Sequence, residues 1–230
     1  MFSLTKNSGT SDNSLNHEER MTLNLLDVVE GNSTITQRSL AAELGVALGL
    51  TNTYLKRCAK KGLIKVKQIP SNRYSYYLTP RGFTEKSRLM AEFLKQSFNF
   101  FRLARRQSGD LLKYCKERGW THIALKGKSD LTEIIILSAA ELYIELAAII
   151  DPEVAIKTST YMGLRVVTDL SELQTPHAII ITNMEQPQQA FDEAVRVFPR
   201  DQVLTLPILG VNRERGGKSI DTTSYAGNIK

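Results

Sequence analysis

An α/β chain with an N-terminal winged helix and a second domain built on a doubly wound parallel sheet of about five strands is the fold class that three observations predict. Between Thr36 and Lys67, two short segments of helical period flank a glycine turn and lead into a strand that alternates apolar and lysine residues. From Trp120 onward, short apolar runs alternate with helical segments, the pattern of β-α-β units. Charge divides the chain at the same place: residues 1–106 carry +9, with 17 Lys and Arg against 8 Asp and Glu, and residues 107–230 carry −3.

Residues 1–16, rich in Ser, Thr and Asn, are expected to form a flexible arm. Glu18 to Glu30 sets Met21, Leu25 and Val28 or Val29 on one helical face, and Gly31-Asn32 stops it. A second helix is expected from near Thr36 to Gly45, burying Leu40, Ala41 and Leu44. A third runs from near Thr51 to Gly62, burying Leu55 with Cys58 or Ala59 and presenting Asn52, Thr53, Lys56, Arg57 and Lys60. Ile64–Lys67, the turn from Pro70 to Arg73, and Tyr74–Leu78 make a hairpin, so the winged helix spans 17–80.

Pro80 opens a long helix through Arg106. Leu89, Met90, Phe93, Leu94, Ser97, Phe98, Phe101 and Ala104 recur along one side, and such a stripe suits either the domain's own core or, better, a second copy of the chain. This linker or dimer helix is placed at 81–106. A short helix at Asp110–Arg118 then precedes Trp120–Leu125 (strand), Asp130–Leu142 (helix) and Glu145–Ile150 (strand). Strands at Leu164–Val167, His177–Ile181 and Gln202–Leu206, and helices at Asp169–Leu173 and Pro187–Phe198, complete a domain over 107–211. Residues 212–230 read as a flexible tail.

Residues 17 to about 106 resemble the MarR-type winged helix, especially its exopolysaccharide-associated subgroup. The resemblance rests on Ile35-Thr-Gln-Arg-Ser-Leu-Ala-Ala-Glu-Leu-Gly, Leu55-Lys, Lys61-Gly-Leu-Ile-Lys and Tyr77-Leu-Thr-Pro-Arg-Gly. It implies sequence-specific transcriptional regulation. The second half resembles a Rossmann-type domain, and the domain order is similar to that of redox-sensing Rex repressors. Where that family's G-x-G-x-x-G stands, this chain has Gly127-Lys-Ser-Asp-Leu-Thr, in which only the first glycine matches. Side chains at the other two positions oppose an extended pyrophosphate, and the cofactor stays unassigned.

Between Leu50 and Arg106, 14 basic residues face only Glu85 and Glu92, which suits a phosphate backbone and makes double-stranded DNA the expected partner. Thr51, Asn52 and Thr53 at the head of the third helix are candidates for base edges; Thr51 or Asn52 equally suits helix capping. Gln37, Arg38, Lys56, Arg57 and Lys60 are candidate phosphate contacts, and Arg73 sits at the wing tip, as a DNA contact or a solvated turn residue.

In the second half, Gly127, Lys128, Ser129 and Asp130 lie between a strand and a helix N-terminus, a favourable place for a phosphorylated or nucleotide-like effector or simply a solvated loop. Asp151 could accept from ribose hydroxyls or make a turn before Pro152, and Thr182 and Asn183 follow another strand at the same edge of the sheet. His17, His122 and His177 are far apart in sequence and no nucleophile or metal signature occurs, so neither catalytic nor metal residues are assigned. Two rival readings remain: an enzyme acting on a nucleotide sugar, or a protein-interaction module, either using the winged helix for assembly. Cys58 and Cys115 lack metal or redox spacing, no apolar run reaches membrane-spanning length, and a cytoplasmic protein with no membrane partner is expected.

Overall fold

The computed structural model describes residues 15–69, 73–156 and 158–214. The chain separates into two compact units, Met1–Asn99 and Phe100–Lys230.

In the first unit, α1 (His17–Gly31) starts on a capping box. The Asn16 side chain accepts from Glu19 N at 2.9 Å while the Glu19 carboxylate accepts from Asn16 N at 3.1 Å. Its apolar stripe, Met21, Leu25, Leu26 and Val29, packs on Leu40, Leu55 and Tyr76. The fold begins earlier than expected: Leu15 is buried against Leu23 and Leu89, and Asn16 is the cap. The rest of the expected arm, residues 1–14, lies outside the described residues.

Helix α2 (Gln37–Glu43) is capped by Thr36, whose hydroxyl accepts from Ser39 N at 3.1 Å. Helix α3 (Leu48–Lys60) begins a turn before the expected Thr51. Its N-cap is Ala47, which makes no side-chain cap hydrogen bond, so the start carries no cap signature. Strands β1 (Ile64–Ile69) and β2 (Arg73–Leu78) pair antiparallel from Ile64 opposite Leu78 to Ile69 opposite Arg73, forming the wing. The expected wing turn, residues 70–72, lies outside the described residues, as does the Arg73 side chain.

Helix α4 (Pro80–Glu117) runs unbroken for 38 residues, in place of two helices separated near 107–109. Gly109 weakens a helix by about 1 kcal/mol relative to Ala. Burial of Ala104, Leu112 and Cys115 against the second unit's sheet outweighs that loss. At the other end Gly82 is obligatory: a Cβ there would lie 2.0 Å from Leu63 O, where α4 crosses the entry to the wing. Lys86 anchors the same turn, bonded to Asp27 at 2.6 Å and to Glu30, and these carboxylates raise its ammonium pKa.

The second unit contains β3 (Ile123–Lys126), α5 (Asp130–Glu141), β4 (Leu146–Ile150), a single turn α6 (Pro152–Ala155), β5 (Thr160–Tyr161), β6 (Leu164–Val167), β7 (Ala178–Ile181), α7 (Pro187–Val197) and β8 (Val203–Thr205). Sheet order is β5-β6-β4-β3-β7-β8. The five expected strands are parallel, and the sixth, β5, is a two-residue antiparallel edge too short for a periodicity signal. Alternation along β3 splits the core: Ile123 and Leu125 pack with α4 and α5, whereas Ala124 lies on the face covered at β7 and β8 by Phe191 and Ala194 of α7. The expected helix at Asp169–Leu173 is one 3-10 turn, Leu170–Glu172. Trp120 precedes the sheet, edge-on to Tyr114. The start of the expected tail is docked: Asn212 and Gln188 exchange hydrogen bonds, and Arg213 donates to Val203 O. Residues 215–230 lie outside the described residues.

Candidate nucleic-acid interface and ligand crevice

Starting α3 at Leu48 changes which residues it presents. Gly49, Thr53, Lys56 and Lys60 recur at helical spacing and all four are exposed, so they form one outward stripe. Leu48 and Leu50 are each 42% exposed in the first turn, the part of a groove-inserted helix nearest base edges. Sequence reading missed both, having placed the helix start after them. Arg38 of α2 and Lys65 and Lys67 of β1 are exposed as well.

Three expected contacts, Thr51, Gln37 and Arg57, are otherwise occupied, and a fourth, Asn52, is partly enclosed. Thr51 is wholly buried and donates to Ala47 O at 3.3 Å, so it cannot meet a base edge; nor is it or Asn52 the cap. Asn52 is half-buried, and its Oδ1 is enclosed with no hydrogen-bond partner. Gln37 donates to Tyr76 Oη at 3.1 Å, tying α2 to the wing. Arg57 lies over the Tyr54 ring and pairs with Glu18 at 2.6 Å, while Lys61 reaches the same carboxylate at 3.5 Å. The Arg57 hydrogen bond holds Glu18 below the usual carboxylate range. Glu18 thus competes for cations that a phosphate would otherwise take, a role visible only once α1 and α3 are packed together.

The second constellation also assembles. Gly127, Lys128, Ser129 and Asp130 follow β3, Asp151 follows β4, and Thr182 and Asn183 follow β7, at the carboxyl ends of adjacent strands. Their polar groups are turned on one another. Asp151 accepts from Lys128 N at 2.8 Å and from Val154 N at 3.1 Å, capping α6. The Ser129 hydroxyl donates to Thr182 O at 2.5 Å and accepts from Leu131 N at 3.2 Å. Thr182 Oγ1 and Thr132 Oγ1 both donate to Gly127 O, at 2.5 and 2.7 Å, and Asn183 Oδ1 accepts from Gln186 N at 2.7 Å.

Gly127 is needed for a different reason than phosphate approach. Its φ is +104°, and a Cβ would lie 2.7–2.8 Å from the Cβ, Cα and backbone N of Asn183. The two positions where a dinucleotide loop has glycine are Ser129, which caps α5, and Thr132, whose hydroxyl fills the turn. The loop therefore does not fit an extended pyrophosphate. Lys128 Nζ stands 4.4 Å from the Tyr161 ring centroid, and Tyr161 in turn donates to Glu133, which raises its phenol pKa.

His122 and His177 meet at the amino ends of β3 and β7. His122 N donates to His177 Nδ1 at 3.1 Å and His177 N to His122 O at 2.7 Å, a clasp that fixes strand register. Burial raises the thiol pKa of Cys58 to about 11 and of Cys115 to about 12, so both are protonated core residues. Among the described residues no three His, Cys, Asp or Glu side chains gather to hold a metal ion, and no helix is long and apolar enough to cross a membrane.

Residues 19–65 match the family model of winged helix-turn-helix DNA-binding domains. With the observed α1-α2-α3-β1-β2 order, the first unit is a winged helix-turn-helix. No curated protein matches the sequence. Among solved structures, the chain is similar to MepR, a transcription regulator of the Staphylococcus aureus multidrug efflux pump MepA, at 20% identity and TM-score 0.33, over 37% of this chain and 63% of that one. It is also similar to Streptococcus pneumoniae FabT in complex with DNA (18% identity, TM-score 0.28, 60% and 78% covered). A third similarity is to human N-acetylserotonin methyltransferase in complex with SAM (11% identity, TM-score 0.28, 81% and 75% covered). The chain thus spans under two thirds of the length of MepR.

Proposed function

We propose that this chain is a transcription regulator that binds double-stranded DNA as a homodimer, with α3 in the major groove and the β1–β2 wing beside it. The observation that carries this reading is the exposed stripe Gly49, Thr53, Lys56 and Lys60, flanked by Leu48 and Leu50 at the helix head. Thr53 and the two leucines can meet base edges and thymine methyl groups, and Lys56, Lys60, Lys65, Lys67 and Arg38 can meet phosphates. Two copies are expected because Phe93, Leu94 and Phe98 of α4 stay exposed, 40%, 46% and 59%, an apolar patch that a second α4 would cover.

The MarR-type resemblance agrees with this reading, and the exopolysaccharide association rests on that resemblance alone. An effector at Gly127, Lys128, Ser129, Asp130, Asp151, Thr182 and Asn183 has the loop's position in its favour and its internal pairing against it. Selection of bound duplexes from a random-sequence pool tests the assignment. Enrichment of a two-fold symmetric site supports it, and a pool that never enriches overturns it.

A further inference from the structure

A helix head that chooses bases by hydrogen bonding presents free donors and acceptors, most specifically the paired ones of Asn, Gln or Arg. The head of α3 has spent or enclosed almost all of its polar groups. Thr51 is buried with its hydroxyl on Ala47 O at 3.3 Å, and the Thr53 hydroxyl gives its proton to Gly49 O at 3.0 Å. Asn52 is half-buried with Oδ1 enclosed, so the adjacent oxygen and nitrogen that adenine requires are not offered together. Ala47, the cap, has no hydrogen-bonding side chain. Lys56, the first cation of the stripe, stands eight residues beyond Leu48, about 12 Å along the axis.

What remains exposed at the head is apolar. Leu48 and Leu50 are each 42% exposed, and a helical rotation of about 100° per residue sets them on either side of Gly49. Gly49 is itself exposed, and a Cβ there would meet nothing within 4 Å, so the backbone between the leucines is open to close approach. Lys56 and Lys60 continue the face of Gly49, and these cations commit the apolar fork to a polyanion. The apolar group that a base pair displays in the major groove is the C5-methyl of thymine. Uracil and cytosine lack that methyl, and 5-methylcytosine carries it at the same place.

We propose that α3 chooses its site through pyrimidine C5-methyl groups received by Leu48 and Leu50. Thymine and 5-methylcytosine are accepted at those base pairs, and uracil and unmethylated cytosine are refused. The proposal rests on α3 lying in the major groove and adds what the helix reads there. Cytosine methylation within a site then strengthens binding, since no hydrogen-bonding side chain at the helix head is there for the methyl to displace.

Fluorescence anisotropy of the full chain with a duplex selected from a random pool tests this reading. Replacing the thymines of a half-site by uracil one at a time should weaken binding about threefold at each contacted base, the worth of one buried methyl. Cytosine at such a position should bind weakly, and 5-methylcytosine there should recover about threefold. The Leu48→Ala, Leu50→Ala variant, changed at exposed positions with folding checked by circular dichroism, should bind thymine and uracil duplexes alike. Gly49→Leu should fold as well as the native chain and weaken every duplex about tenfold, because its side chain fills the gap between the leucines. A selected site without thymine, equal affinity for thymine and uracil duplexes, no gain from 5-methylcytosine over cytosine, or a thymine preference that survives loss of both leucines would each overturn the proposal. Each of these outcomes leaves the DNA assignment standing, whereas failure to select any duplex overturns both.

Discussion

On α3, Lys56 and Lys60 stand out into solvent and only the Thr53 hydroxyl is bonded within the helix, to Gly49 O, whereas in the loop after β3 the Ser129 and Thr182 hydroxyls and both Asp151 oxygens are taken by neighbouring backbone. Both constellations contain the residue types that their chemistry requires. They differ in where the hydrogen bonds go, and a group already satisfied within the fold must give up that bond before it can hold a ligand. An open cationic face needs no such exchange. The first unit is thus arranged to meet a partner, and the loop of the second is arranged to hold three strands and two helices together.

The comparison is sharpest at two glycines, one in each unit. Gly127→Ala should cost about 2–4 kcal/mol, combining a left-handed backbone with a clash against Asn183. Trp120, the sole tryptophan, lies in this unit, so its fluorescence in urea should show an earlier transition. An unshifted midpoint would mean that the loop is not the knot described. Gly82→Ala should cost about 1–3 kcal/mol by pushing α4 off Leu63 O. Its effect should appear in the helical circular dichroism transition and as weaker DNA binding, with the Trp120 midpoint unmoved.

Element types are largely legible in the sequence because periodicity and turn residues carry them: the wing, the five parallel strands and α5 all stand near their expected places. The failures have local causes. The start of α3 is hidden because Ala47 is a cap without a capping side chain, and that one turn transfers the helix head from Thr51 to Leu48. The break expected at Gln107-Ser-Gly is overridden by burial of Ala104, Leu112 and Cys115. The convergence of Gly127, Asp151 and Thr182 is legible from strand ends. Their mutual pairing is not, because it depends on side-chain directions across three strands.

Glu18→Gln offers a smaller test of the open face. It removes the carboxylate shared by Arg57 and Lys61 at exposed positions, where solvent screens the pairing, so the urea midpoint should scarcely move. DNA affinity should rise severalfold as both cations become available to phosphate; unchanged affinity in an anisotropy titration would place Arg57 and Lys61 outside the interface. Smaller again is the thiol effect. Each unit buries one cysteine with a raised pKa, so the folded state holds its protons more tightly than the unfolded chain, where the thiol titrates near 9. This contribution is fully present below about pH 9 and is lost as pH rises toward 11 to 12. At pH 8 a chromogenic disulfide reagent should find no fast-reacting thiol in the native protein and two after denaturation; a fast native thiol would contradict the burial.

The most direct measurement is the salt dependence of affinity for a selected duplex, compared between the native chain and the Lys56→Ala, Lys60→Ala variant. If the α3 stripe neutralises phosphates, log affinity should fall steeply with log salt, and removing both lysines should flatten the slope by about 1.8, roughly 0.9 for each phosphate that is no longer neutralised. A shallow native slope, or one that the double substitution leaves unchanged, would contradict the assignment of this face to DNA.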